Sequence, residues 1–80
     1  MATKIVMFTK NNCPNCMRAK MLLDSCPVEV EIIEKNIEES IEAYDECVNK
    51  YESNTAPTFR INGRTIMGFN EGEIMDELGL

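Results

Sequence analysis

The hydrophobic positions of this chain change their period several times, and each change marks a new element. Lys4-Ile5-Val6-Met7-Phe8-Thr9 is a compact apolar run, rich in β-branched and large side chains, and predicts a buried strand. Thr9 to Asn12 is a polar turn, with Asn11-Asn12 suited to a tight connection. From about Pro14 to Ser25, Cys16, Ala19, Leu22, Leu23 and Cys26 recur at three- and four-residue spacings, the buried face of a helix. Met17 and Met21 sit beside that stripe and are expected to fill gaps in the core. Pro27 ends the helix. Val28 to Ile33 alternates, Val28, Val30 and Ile32 against Glu29 and Glu31, which predicts a half-buried strand with a solvated acidic face. A second helix is expected over roughly Glu38 to Tyr51, burying Ile37, Ile41, Tyr44, Val48 and Tyr51, with Cys47 bordering that face. Glu38, Glu39 and Glu42 lie toward its positive end. Ser53-Asn54-Thr55 is a loop. Thr58-Phe59-Arg60-Ile61 and Arg64-Thr65-Ile66-Met67 then flank Asn62-Gly63, a strong hairpin signal. Gly68 breaks the second of these strands, and Asn70-Glu71-Gly72-Glu73 has the form of a capping box opening a last helix through Leu78.

The element order is therefore β-α-β-α-β-β-α, an α/β protein. The first strand–helix–strand unit should be parallel and right-handed, and the final hairpin is antiparallel. One four-stranded mixed sheet with helices on both faces satisfies both conditions. Residues 1–80 suffice for one domain with a real core, given 44% hydrophobic residues against three prolines and four glycines. No apolar run approaches the ~18 residues of a membrane span. The N-terminus lacks the charged-then-apolar layout of a signal peptide, so the four cysteines point to a reducing, cytoplasmic setting rather than a disulfide scaffold.

Charge refines this picture. The net charge of −6 argues against nucleic acid as a partner. Its distribution is uneven: Met1 to Leu23 holds Lys4, Lys10, Arg18 and Lys20 with no acidic residue, a local +4, whereas the remainder carries −10. Lys10, three residues before Cys13, is expected to stabilise an anion or meet a substrate carboxylate, with Arg18 a further candidate; Lys20 reads as a solvated surface charge.

The candidate chemistry lies in Cys13-Pro14-Asn15-Cys16. Two cysteines at this spacing can close a disulfide or share a metal. Here they open a helix directly after a strand, the redox context for the motif. A helix start presents unpaired backbone N–H groups and partial positive charge, which favour a thiolate and lower its pKa below the free value of ~8.5. Pro14 fits the first turn because its missing N–H is not needed there. Cys13 is thus the expected nucleophile and Cys16 the resolving thiol. The chain has no histidine, so a Cys–His pair is excluded. The competing reading is a metal module in which Cys26 and Cys47 join the pair to hold zinc or iron. Their placement, ten residues on along an apolar helix face and on a different helix, fits small core hydrophobes better, and no metal is expected.

Three stretches together resemble the glutaredoxin family in its thioredoxin-like fold: Val6 to Cys16 with its Thr9-Lys10 lead-in, Thr55-Ala56-Pro57-Thr58 before the hairpin, and Gly68-Phe69-Asn70 after it. The resemblance spans essentially the whole chain. It implies a thiol–disulfide oxidoreductase with a cis Pro57, a backbone at Ala56 free to pair with an extended substrate, and Gly68 placed where substrate backbone passes closely. Lys10, Pro14, Asn15, Thr55, Ala56, Pro57, Gly68, Phe69 and Asn70 are the implied substrate-binding residues. No bound cofactor is implied; the redox group is the Cys13–Cys16 disulfide. Two branches of the family fit. Glutathione-dependent members share Lys10 and Thr55-Ala56-Pro57, but this chain has Asn15 where an aromatic is usual, and its Gly68-Phe69-Asn70 segment lacks their second glycine and aspartate. The redoxins that draw on thioredoxin reductase and serve ribonucleotide reductase share the Thr-Lys, Ala-Pro and Gly-Phe pieces, although Ile66-Met67 replaces their aromatic. The second branch is favoured, acting as a monomer on a disulfide-bearing protein.

Overall fold

A computed structural model, describing residues 2–80, has β1 (Thr3–Thr9), α1 (Pro14–Ser25), β2 (Val30–Asn36), α2 (Ile41–Asp45) continuing into a π-helical segment (Glu46–Lys50), β3 (Thr58–Ile61), β4 (Arg64–Met67) and α3 (Glu71–Glu77). The strands form one sheet in the order β2-β1-β3-β4. β1 runs parallel to β2, from Thr3 opposite Val30 to Thr9 opposite Asn36, and antiparallel to β3; β3 and β4 form the hairpin. Asn62 and Gly63 both have positive φ, 51° and 79°, the conformation that a two-residue primed turn requires.

The pleat of β1 sends its side chains to two different layers. Ile5 and Met7 join Cys16, Ala19 and Leu23 of α1, Phe59, Ile61 and Ile66 of the hairpin, and Ile74 of α3 in one fully buried cluster. Phe8 points to the opposite face, where its ring meets Tyr51 at 5.9 Å between centroids. Helices α1 and α3 thus cover one face, and the chain around the π-helical segment covers the other.

Three expectations need correction. β2 starts two residues later than alternation suggests and ends three residues later, because pairing with β1 continues to Asn36. Met17 and Met21 are exposed rather than packed: Cys16, Ala19 and Leu23 already fill the space beneath α1. The second helix begins at Ile41, not Glu38. Ser40 caps it, its Oγ accepting from the Ala43 N–H at 3.2 Å. The buried stripe is Ala43 and Cys47, while Ile41 and Tyr44 are 85% and 53% exposed. The Tyr51 N–H donates to the Glu46 carbonyl, five residues back, so the last turn is wider than an α-turn. A 3.6-residue count carried across such a turn selects the wrong face.

Candidate active site

Cys13 is the N-cap residue of α1, in extended conformation, with Pro14 in the first helical position. Its Sγ accepts a hydrogen bond from the Cys16 N–H at 3.1 Å, and the Met17 N–H donates to its carbonyl at 3.2 Å. The helix start therefore places an unpaired amide against sulfur, as an incipient thiolate requires. Cys13 and Cys16 are joined in a disulfide with Cα atoms 5.2 Å apart. Both are largely covered, at 7% and 3% exposure.

The loop ahead of Cys13 is held from the side. The Asn11 N–H donates to the Glu38 carboxylate at 2.6 Å, the Asn36 side-chain amide donates to Asn11 Oδ1 at 3.1 Å, and the Ile37 N–H donates to the Thr9 carbonyl at 2.8 Å. Asn12 turns the chain into the helix with φ of 54°, a left-handed value that asparagine tolerates. The sequence signals Glu38 as a helix-start acid; its role as a clamp on the cysteine loop depends on a contact 27 residues away in the chain.

Two further loops meet at this end of the sheet. The Ala56–Pro57 bond is cis, as the family resemblance implies, and Pro57 is fully buried. The Gly68 N–H donates to the Pro57 carbonyl at 2.8 Å, extending the hairpin ladder by one bond. Ala56 and Phe69, both half-buried, pack on the apolar cluster that contains Cys13 and Cys16. Neither the N–H nor the carbonyl of Ala56 is hydrogen-bonded to another described residue. Gly68 has φ of +78° and open space where a Cβ would stand, so backbone conformation, not crowding within the chain, calls for glycine there.

The remaining candidates divide. Lys10 is exposed and, among the described residues, pairs with no carboxylate. Asn15 is exposed and accepts from the Arg18 guanidinium at 3.3 Å. Thr55 is exposed. Asn70 caps α3, its Oδ1 accepting from the Glu73 N–H at 3.2 Å. Only this half of the capping box forms, because the Glu73 carboxylate pairs instead with Arg64 at 3.2 Å and the Asn70 N–H bonds to the Gly68 carbonyl. Lys20 pairs with Glu34 at 2.7 Å, and the buried Thr9 hydroxyl donates to the same carboxylate at 2.9 Å; the Lys20 contact above all holds the Glu34 carboxyl below the usual range. Cys26 donates to the Leu23 carbonyl at the end of α1, and Cys47 is wholly buried and donates to the Ser53 carbonyl. Among the described residues, no three His, Cys, Asp or Glu side chains converge as a metal site would need, and no helix is long and apolar enough to cross a membrane.

A parallel β-α-β unit, a hairpin preceded by a cis-proline and a disulfide-bonded cysteine pair at the mouth of the first helix define a thioredoxin-like protein. Within that class the chain belongs to the glutaredoxin family: the family model described as Glutaredoxin matches residues 5–66. Members of this family are thiol–disulfide oxidoreductases, and the chain carries their cysteine pair. It is 35% identical to Glutaredoxin-C4 of Arabidopsis thaliana over 96% of its own length, and spans 63% of that relative's. The thioredoxin-like protein BC3987 has a similar structure, with a TM-score of 0.85 at 25% identity over 91% of this chain and 97% of that one. The glutaredoxin of Methanosarcina mazei Go1 is also similar, with a TM-score of 0.76 at 28% identity over 96% and 79% of the two chains.

Proposed function

We propose that this chain is a small dithiol oxidoreductase, a glutaredoxin-like redoxin that passes electrons from thioredoxin reductase or glutathione to protein disulfides such as that of ribonucleotide reductase. The observation that carries the reading is the Cys13 sulfur at the N-cap, facing the Cys16 amide and already bonded to the Cys16 sulfur. In the reduced protein that amide and the helix start stabilise a Cys13 thiolate. The thiolate attacks one sulfur of the substrate disulfide, forming a mixed disulfide and releasing the other sulfur as a thiolate that takes up a proton. The Cys16 thiol then loses its proton and attacks the Cys13 sulfur, expelling the second substrate thiolate. The substrate disulfide gains two electrons, and Cys13–Cys16 is left oxidised until a reductant returns them. Ala56 offers its free N–H and carbonyl to an extended substrate segment, as an added strand would use them.

Thioredoxin reductase is the favoured reductant. The Thr9-Lys10, Ala56-Pro57 and Gly68-Phe69 pieces support it, and Asn15, together with a Gly68-Phe69-Asn70 segment that lacks the second glycine and the aspartate, weighs against a complete glutathione site. In this reading the protein acts as a cytoplasmic monomer without a resident cofactor. The test offers the oxidised protein separately to glutathione and to thioredoxin reductase with NADPH. Turnover with the reductase alone is expected. Turnover with glutathione alone would reassign the chain to the glutathione-dependent branch, acting on glutathione mixed disulfides. Turnover with neither would remove the proposal.

A further inference from the structure

A ring of hydrogen bonds lies directly under the cis-proline loop and involves neither Cys13 nor Cys16. The Thr58 hydroxyl donates to the Thr55 carbonyl at 2.6 Å. A hydroxyl has one proton, so in the Ser53–Thr58 hydroxyl contact at 2.8 Å the donor is Ser53. The Thr55 N–H in turn donates to Ser53 Oγ at 3.4 Å. Each of the two hydroxyls, those of Ser53 and Thr58, therefore accepts once and donates once, and the ring closes on the backbone N–H and carbonyl of Thr55. Ser53 and Thr58 are 1% and 0% exposed, so their two hydroxyls are shielded from water. The ring is anchored below: the Ser53 N–H donates to the Cys47 carbonyl at 2.9 Å, and the Cys47 thiol donates to the Ser53 carbonyl at 3.4 Å.

The Thr55 carbonyl and the Ala56 N–H belong to one rigid peptide plane and point to opposite sides of it. Holding the carbonyl inward on the Thr58 hydroxyl holds the Ala56 N–H outward. Without the hydroxyl, that plane is free to rotate and the N–H loses its fixed direction.

We propose that Thr58, supported by Ser53, is a positioning residue that presents the Ala56 N–H to the backbone of a peptide substrate. The inference rests on the strand-like substrate pairing described above. Its consequence is selective: a disulfide flanked by peptide backbone depends on the ring, whereas a small disulfide with no backbone does not.

The experiment compares Thr58→Val, which keeps the shape and removes the hydroxyl, with Thr58→Ser, which restores the hydroxyl, and with Ser53→Ala, which leaves the Thr58–Thr55 bond in place. Each protein reduces cystamine and, separately, a peptide bearing an extended disulfide-bonded segment, with dithiothreitol as reductant. For Thr58→Val the KM for the peptide should rise about tenfold, the equilibrium equivalent of one lost buried hydrogen bond, with kcat and the cystamine rate kept. Thr58→Ser should recover the wild-type KM, and Ser53→Ala should fall between. An unchanged peptide KM, or an equal loss on both substrates, would overturn the inference. If Thr58→Val does not fold, the same comparison on Ser53→Ala decides it. A wild-type protein inert toward cystamine would instead sink the oxidoreductase reading itself.

Discussion

At the scale of single residues, the sulfur atoms divide by their surroundings. Cys13 faces an amide at a helix start, and Cys16 sits one turn behind it. Cys13→Ser should bring disulfide reduction down to background, while Cys16→Ser should leave a mixed disulfide with substrate that non-reducing electrophoresis detects. Full activity in Cys13→Ser would remove the nucleophile assignment. Cys47 has the opposite environment, and burial above all pushes its thiol up from its ordinary value. In the folded chain it stays protonated where an unfolded thiol ionises. The stability linked to it is therefore complete below the unfolded value, about 8.5, and drains away as pH climbs from there through the folded value. Denaturant titrations at a series of pH values should show the stability advantage of wild type over Cys47→Ala narrowing above about pH 8.5. A constant difference would mean that the buried thiol does not govern the alkaline limb. The cysteine pair was legible in the sequence because its chemistry is local. The Ser53–Thr58 ring was not, because Ser53 reads as a loop residue and Thr58 as the first residue of a strand until the chain turns at Pro57 and brings their hydroxyls together.

At the scale of elements, β1, the two hairpin strands and the bounds of α1 followed the sequence pattern closely, since each has a strong period and a clear stop. β2 is shifted toward Asn36 by its pairing with β1. The α2 region did not follow the pattern. Its start is set by the Ser40 cap and its last turn is widened; Ile41 and Tyr44 face solvent, while Ala43 and the small Cys47 are buried. Periodicity weighs side chains by hydrophobicity and has no term for the width of a turn. At α3 the cap itself is testable. Asn70→Ala should cost about 1 kcal/mol of stability through loss of the bond to the Glu73 N–H, and Asn70→Asp should restore most of it. Thermal unfolding of the three proteins checks this. If Asn70→Ala unfolded at the wild-type temperature, Asn70 would not be held by the cap, and its side chain would be available for substrate contact.

Across the whole molecule, positive charge is concentrated in the stretch of chain that carries the cysteines, with the Glu38 carboxylate held against its loop. Lys10 and Arg18 flank the motif in sequence, with Arg18 bonded to Asn15 within it, Lys20 is occupied by Glu34, and the acidic residues all follow Leu23 in the chain. This separation gives an otherwise acidic protein, of net charge −6, a positive approach to its reactive sulfur. It favours substrates whose disulfide is flanked by carboxylates. Fields of exposed charges act over roughly 10 Å at 0.1 M salt, so the preference must weaken as salt is added. Two peptide disulfides of the same length, one flanked by glutamates and one by lysines, should differ several-fold in reduction rate at low ionic strength, the acidic one faster, and converge at high salt. Lys10→Gln should shrink that gap while changing stability by less than about 0.5 kcal/mol, as expected of an exposed residue without a partner. A gap that survives high salt would mean that peptide shape, not charge, governs the preference. A gap untouched by Lys10→Gln would move the effect to Arg18, whose guanidinium is the other cation beside the motif.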